Sequence, residues 1–208
     1  MIEYPKIYTV YKRDPTDRYK TLLMHEFAKP EFEFLADNTW SFVEKLNGTN
    51  VRIGLDADEL IIDGRNDDAQ MHVFLYRKLA RIFSPEALDK QFGTDNFVIF
   101  GEGYGAKVVP GSGSYNPKGR GFCLFDVWVD GWWLKRDAIE EIAGNLGLEI
   151  APIIGTGTLH DMVLMAQGGF KSQWGDFQAE GIVARPLVDL FARNGDRVIT
   201  KIKCKDFR

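Results

Sequence analysis

The sequence predicts an α+β protein built on antiparallel sheets. Apolar stretches of strand length recur along the 208 residues, separated by turn-forming strings. Only a few segments show helical spacing, and strands and helices alternate too irregularly for βαβ units. Hydrophobic residues make up 45% and charged ones 27%, and no Pro/Gly/Ser tract is long enough for a linker, so one domain over 1–208 is expected.

Residues 1–38 form a mixed lead-in that Pro5, Pro15 and Pro30 break into short pieces. Trp40 to Glu44 reads as a strand running into the polar string KLNGTN. Asn50 to Leu55 and Leu60 to Asp63 read as the next strands, turning at Asp56–Glu59. From Asp67 to Phe83 the apolar residues Val73, Phe74, Tyr76, Leu79, Ala80 and Phe83 follow helical spacing, with Asp67 and Asp68 at the positive N-terminus. Phe97 to Phe100 is a short strand ending in GEGYG, and Phe122 to Val129 is another. Arg136 to Leu146 reads as a helix stopped near Gly147, and Thr158 caps a third running to Gln167. Glu180 to Arg185 and Arg197 to Lys203 are late strands.

A net charge of −4 excludes a histone-like polycation but permits cations clustered along one groove. Most of the 15 Phe, 7 Tyr and 5 Trp belong in a core, which leaves one or two to stack on bases. Cys123 and Cys204 lack CxxC spacing and His25, His72 and His160 are scattered, so neither a disulfide framework nor a zinc site is expected. No apolar run is long enough for a membrane span and the N-terminus lacks a signal-peptide core. A cytoplasmic protein without membrane association is the expectation.

Candidate chemistry begins at Lys45, held at a strand end beside a tight turn. Glu102, in FGEGYG, sits where an apolar strand meets glycines that admit close backbone approach. The string is no P-loop, since no GK[ST] follows. Glu180 stands at the mouth of another strand, and strand alternation puts Lys201 and Lys203 on one face. Singly, each is an ordinary edge-strand charge. Together they supply a nucleophilic amine, two carboxylates and a cationic pair, a set suited to phosphoryl chemistry. Lys107, Lys118 and Arg120, interspersed with Tyr104 and Tyr115 in a glycine-rich stretch, suit either a surface loop or nucleic-acid contact.

In this order the motifs resemble those of the covalent nucleotidyltransferases, the ATP-dependent RNA and DNA ligases with the mRNA capping enzymes. The chain looks most similar to RNA ligases that seal nicked duplexes. Lys45-Leu-Asn47-Gly48-Thr49-Asn50 matches the nucleotidyl-accepting signature, and Arg65 lies where the family often has an arginine. Glu102, Phe125-Asp126, Glu180-Gly181 and Lys201-Ile-Lys203 match the remaining signatures, so the likeness spans residues 40–207. A Lys203/Lys205 register fits the last signature as well.

The resemblance implies a nucleotidyltransferase (ATP-grasp-like) core of antiparallel sheets flanked by helices. The chain ends soon after KIK, so neither an oligonucleotide-binding barrel nor a C-terminal helical domain is expected in it. The implied activity is RNA repair by ligation: Lys45 takes AMP from ATP, AMP passes to a 5′-phosphate, and a 3′-hydroxyl seals the nick in duplex RNA or an RNA–DNA hybrid. An ATP-dependent DNA ligase core and a catalytically silent end-binding module are the alternatives. Glu44, Asn50, Arg65, Glu102, Phe125, Glu180, Lys201 and Lys203 are expected to contact the nucleotide, with Phe125 on adenine and Glu102 on either ribose or metal. Lys45, Lys201 and Lys203 are the catalytic cations. Asn47, Glu102 and Glu180 are the candidates for Mg²⁺ or Mn²⁺, Asn47 standing where many ligases carry aspartate. A monomer is expected, with a separate protein as one source of further nucleic-acid contacts.

Overall fold

A computed structural model describes residues 1–67 and 69–208; Asp68, expected at a helix start, lies outside the described residues. The first elements in chain order are β1 (Tyr8–Thr9), β2 (Tyr11–Arg13), β3 (Leu22–Phe27), α1 (Pro30–Phe34), β4 (Trp40–Lys45), β5 (Thr49–Asp56) and β6 (Glu59–Asp63). Next come α2 (Val73–Ile82), α3 (Pro85–Phe92), β7 (Phe97–Gly105), β8 (Arg120–Val129), β9 (Trp132–Trp133) and α4 (Arg136–Leu146). The chain finishes with β10 (Glu149–Ile150), β11 (Ile153–Gly157), α5 (Leu159–Gly168), β12 (Gly181–Pro186) and β13 (Thr200–Lys203). Two compact units result, each discontinuous in sequence: Met1–Tyr4 with Leu46–Ala151, and Pro5–Lys45 with Pro152–Arg208.

The Leu46–Ala151 unit is a six-stranded sheet, β10-β8-β7-β5-β6 with β9 on β8, antiparallel except for β10 on β8. Period-two alternation turns Val51, Ile53 and Leu55 of β5 to one face. There they join Ile99, Phe122 and Leu124, with Leu75 and Leu79 of α2, Leu88 of α3 and Ile139 of α4, in one buried core. Alternation sends Asn50, Arg52, Phe100 and Glu102 to the opposite face. Strand β7 runs on through GEGYG to Gly105 because it is hydrogen-bonded on both sides, to β5 and to β8.

The helix predicted from Asp67 starts only at Val73. Arg52, wholly buried, donates to the Gly64 carbonyl at 2.8 Å and to Asp67 Oδ1 at 2.6 Å, so Asp67 is drawn to a strand instead of a helix end. That guanidinium holds the Asp67 carboxyl below its usual range. His72 caps α2, its Nδ1 accepting from the Phe74 N–H. Helix α3, too short for a periodic signal, is capped by Ser84 and closed by the left-handed Gly93.

The Pro5–Lys45 and Pro152–Arg208 unit has a five-stranded sheet, β1-β13-β12-β4-β11, and a separate β2–β3 pair. Trp40, Phe42, Ile182, Ala184 and Ile202 bury one face against Leu159, Met162, Val163 and Ala166 of α5. Pro15 and Pro30 open a 3₁₀ turn and α1, where a missing N–H costs nothing. Helix α5 has the predicted Thr158 cap as one half of a capping box with Asp161. Among the described residues no helix is long and apolar enough to cross a membrane.

Candidate active site

Three strands of the second unit place its candidate residues. Register pairs Lys45 at the end of β4 with Gly181 on β12, and Gly181 with Lys203 on β13. The two lysines therefore flank Gly181 on one sheet face, two strand spacings of about 4.8 Å apart. Glu180, one residue before β12, bridges them: Oε2 lies 2.7 Å from Lys45 Nζ and Oε1 2.7 Å from Lys203 Nζ. Side-chain exposures of 12–27% leave all three shielded yet reachable. A Cβ at Gly181 would overlap the Ile202 carbonyl oxygen and crowd Lys203 Cα, so only glycine lets β12 run this close to β13.

Lys201 stands two residues before Lys203 on the same strand, on the same half-buried side, paired with Val183. Lys205 lies beyond it in the 3₁₀ turn Cys204–Phe207, which starts where the Lys203 N–H donates to Asp206. The strand lysines are therefore Lys201 and Lys203. Glu44 points the other way. It is 1% exposed, on the Trp40 and Phe42 side of β4, and accepts from the Ser172 hydroxyl at 2.6 Å and the Gln173 N–H at 2.8 Å. Expected at the nucleotide, it instead pins the 172–174 turn from the face opposite Lys45.

The Leu46–Ala151 unit carries the other candidates. Asn50 and Glu102 are directly paired across β5 and β7. A Cβ at Gly48 would overlap the Gly103 carbonyl and crowd Glu102 Cγ, which is the physical need for glycine in the KLNGTN string. Asn50 Oδ1 is buried and accepts no hydrogen bond among the described residues. An orphaned acceptor of this kind is costly unless a ligand donor satisfies it, so the Asn50–Glu102 pair fits a ribose hydroxyl or a cation's water shell. Asn47 donates through Nδ2 to the Pro110 carbonyl at 2.9 Å, tethering the glycine-rich loop and leaving Oδ1 as its acceptor.

Phe125 sits at a bulge in β8, half-buried, with the Tyr4 ring edge-on at 5.1 Å. Asp126 beside it is buried and accepts from the Tyr4 hydroxyl at 2.8 Å. Arg65 is exposed in the turn after β6, the turn that Arg52 fastens through Gly64 and Asp67. Sequence reading missed Arg52, although an arginine inside the apolar string VRIGL is itself a signal of a buried structural cation. No three His, Cys, Asp or Glu side chains among the described residues form a ready-made metal cluster. Magnesium is commonly held by one or two carboxylates with waters and substrate phosphates, a mode open to Glu102 in one unit or to Glu180 in the other.

The chain belongs to the RNA ligase family, whose model matches residues 38–203. Its fold is similar to that of Naegleria gruberi RNA ligase. An alanine variant of that ligase with ATP and Mn superposes with a TM-score of 0.67 at 18% identity, over 98% of this chain and 59% of that one. The structure with PPi gives 0.66 at 18%, over 97% and 57%. A methionine variant with AMP and Mn gives the same values as the PPi structure. The chain thus spans less than three fifths of those ligase chains. No curated protein matches it.

Proposed function

We propose that this chain is the catalytic core of an ATP-dependent RNA ligase that seals 5′-phosphate to 3′-hydroxyl ends in nicked duplex RNA or an RNA–DNA hybrid. The observation that carries the reading is the Lys45–Glu180–Lys203 bridge, with both lysines in register with Gly181. Lys45 Nζ attacks the α-phosphorus of ATP. An N–P bond forms, the P–O bond to pyrophosphate breaks, and the amine gives up its proton. A 5′-phosphate oxygen of the nucleic acid then displaces Lys45, and a 3′-hydroxyl finally expels AMP from that activated end.

Glu180 sets where the Lys45 amine stands before attack. Lys201 and Lys203 offset charge that develops on the phosphate oxygens. Asn50 and Glu102 take the ribose hydroxyls or the cation's waters, Phe125 stacks on adenine, and Arg65 contacts phosphate with its guanidinium fork. Glu180, Glu102 and Asn47 are the residues that would hold Mg²⁺ or Mn²⁺, which would supply charge neutralisation to the phosphates. The resemblance of the ordered motifs and the likeness to ligase structures solved with ATP and Mn or with PPi support the assignment.

The test is incubation with α-labelled ATP and divalent metal, followed by denaturing electrophoresis. Wild-type protein should carry covalent label and Lys45→Ala none. An unlabelled wild-type chain, or labelling that survives Lys45→Ala, ends the proposal. Sealing assays on nicked RNA, hybrid and DNA duplexes then identify the substrate.

A further inference from the structure

Helix α2 carries a surface that the adenylation chemistry does not use. Its sequence, VFLYRKLARI, has three cations and no acid, in a chain whose net charge is −4. At 100° per residue, Leu75, Leu79 and Ile82 form the inward face, the two leucines wholly buried. Phe74, Arg77, Lys78 and Arg81 fall within another arc of about 100°, and all four are exposed. The resulting strip is about 10 Å long at 1.5 Å rise per residue. Phe74 is half exposed although it could have been any polar residue by the helix pattern alone.

The strip continues beyond the helix. The Arg120 guanidinium lies over the Phe74 ring, 5.1 Å from its centroid, and His72 stacks on the same phenyl at 5.3 Å. Lys118, two residues earlier, is exposed. Three other surface cations have acidic partners: Arg136 pairs with Glu140, Lys12 with Glu26, Lys171 with Asp176. Among the described residues no carboxylate pairs with Arg77, Lys78, Arg81, Lys118 or Arg120.

Its place in the unit gives it a direction. Leu75 of α2 fills the space over Gly103, and Gly103 pairs with Thr49 on one side and Phe122 on the other. The start of α2 and Arg120 therefore lie at the Gly103 end of this sheet, near residues 47–50, with α2 on the face opposite Glu102. Asn47 holds the Pro110 carbonyl of the intervening loop at this end as well.

We propose that the α2 strip, with Arg120 and Lys118, binds the sugar–phosphate backbone of the RNA substrate, Phe74 and Tyr76 giving ribose or base an apolar footing. This rests on the ligase reading for the identity of the polyanion and on charge complementarity for the contact itself. The occupant is nucleic acid, not an acidic protein, because unpaired cations interleaved with half-exposed aromatics suit a phosphate chain carrying stackable rings.

The experiment compares wild type with the triple variant Arg77→Ala, Lys78→Ala, Arg81→Ala, alanine being the best helix former at each site. Affinity for a fluorescein-labelled nicked RNA duplex is followed by anisotropy across a salt series. The variant should bind about tenfold or more weakly, and its log K against log salt should be shallower by roughly 2 to 3. Label transfer from ATP to Lys45 should stay at the wild-type level, which also reports that the variant is folded. Removing a paired cation, Arg136→Ala, should change neither affinity nor slope. A triple variant with wild-type affinity and slope overturns the proposal, as does an equal loss per charge in Arg136→Ala. Failure of the ligase reading is separately visible, as absence of label in wild type.

Discussion

Glu180 bridges Lys45 and Lys203 at 2.7 Å each, and its replacement separates a stability role from the proposed catalytic one. Ion pairs with partly exposed partners contribute about 0–1 kcal/mol each after screening. On the proposed mechanism, misplacing Lys45 and Lys203 costs on the order of a hundredfold in rate, as removal of one preorganised electrostatic group does. Glu180→Gln should therefore shift the urea midpoint little while slowing Lys45 labelling by about that factor. Labelling at the wild-type rate would show that Glu180 positions nothing. Gly181→Ala should do the reverse, since its Cβ meets backbone that cannot swing aside. A loss of about 1–3 kcal/mol in urea unfolding is expected, and an unchanged midpoint would contradict the close approach. The strand-end positions of Lys45, Glu180 and Lys203 were legible because an apolar run stops or starts at each. Glu44 was legible too, had alternation been applied: a neighbour of Lys45 on a strand must face the other way. Lys205 was not, because alternation cannot say where a strand stops, and here Asp206 stops it through a backbone hydrogen bond.

Elements with local end signals were readable, and those ended by distant residues were not. Helix α4 begins and ends where its sequence places it, closed by the left-handed Gly147, and α5 follows its Thr158 cap. The start of α2 escaped because Asp67 is claimed by Arg52, fifteen residues earlier on a strand. The two-residue parallel strands β1 and β10 exist only through their partners β13 and β8 and have no periodicity of their own. The α5 cap yields a prediction with a pH signature. The Thr158 N–H, and then its hydroxyl, hold the Asp161 carboxyl below its ordinary value of 3.8. A depressed folded-state value means a contribution present above pH 3.8 and lost as pH falls through the lower, folded-state value. Asp161→Asn should therefore be less stable than wild type near neutrality, the gap closing as the medium is made more acidic than 3.8. Thr158→Ala should cost about 1 kcal/mol in the same urea assay. A gap that widens in acid would refute the assignment of the cap.

The whole chain crosses between its two units at Tyr4–Pro5, Lys45–Leu46 and Ala151–Pro152, so Lys45, the proposed nucleophile, ends one unit and the string that follows it begins the other. The order of motifs could be read from sequence, but this interleaving could not, since no composition shift marks the crossings and each core recruits residues distant in the chain. Net charge gives the last prediction. At −4 the molecule as a whole repels a polyanion, so on the proposed reading RNA capture depends on local groups: Lys201 and Lys203 in one unit, and the α2 strip in the other. Contacts of this kind release counterions from RNA, and each phosphate neutralised adds roughly 0.7–0.9 to the salt slope of binding. ATP offers only three phosphates and no extended counterion atmosphere. Sealing of subsaturating nicked RNA should therefore fall by about tenfold or more between 50 and 200 mM salt, roughly as the loss expected for several phosphate contacts. Label transfer from ATP to Lys45 over the same range should fall far less. Parallel losses in the two assays would place the salt-sensitive step at Lys45 itself and remove the case for RNA capture by separate cationic surfaces.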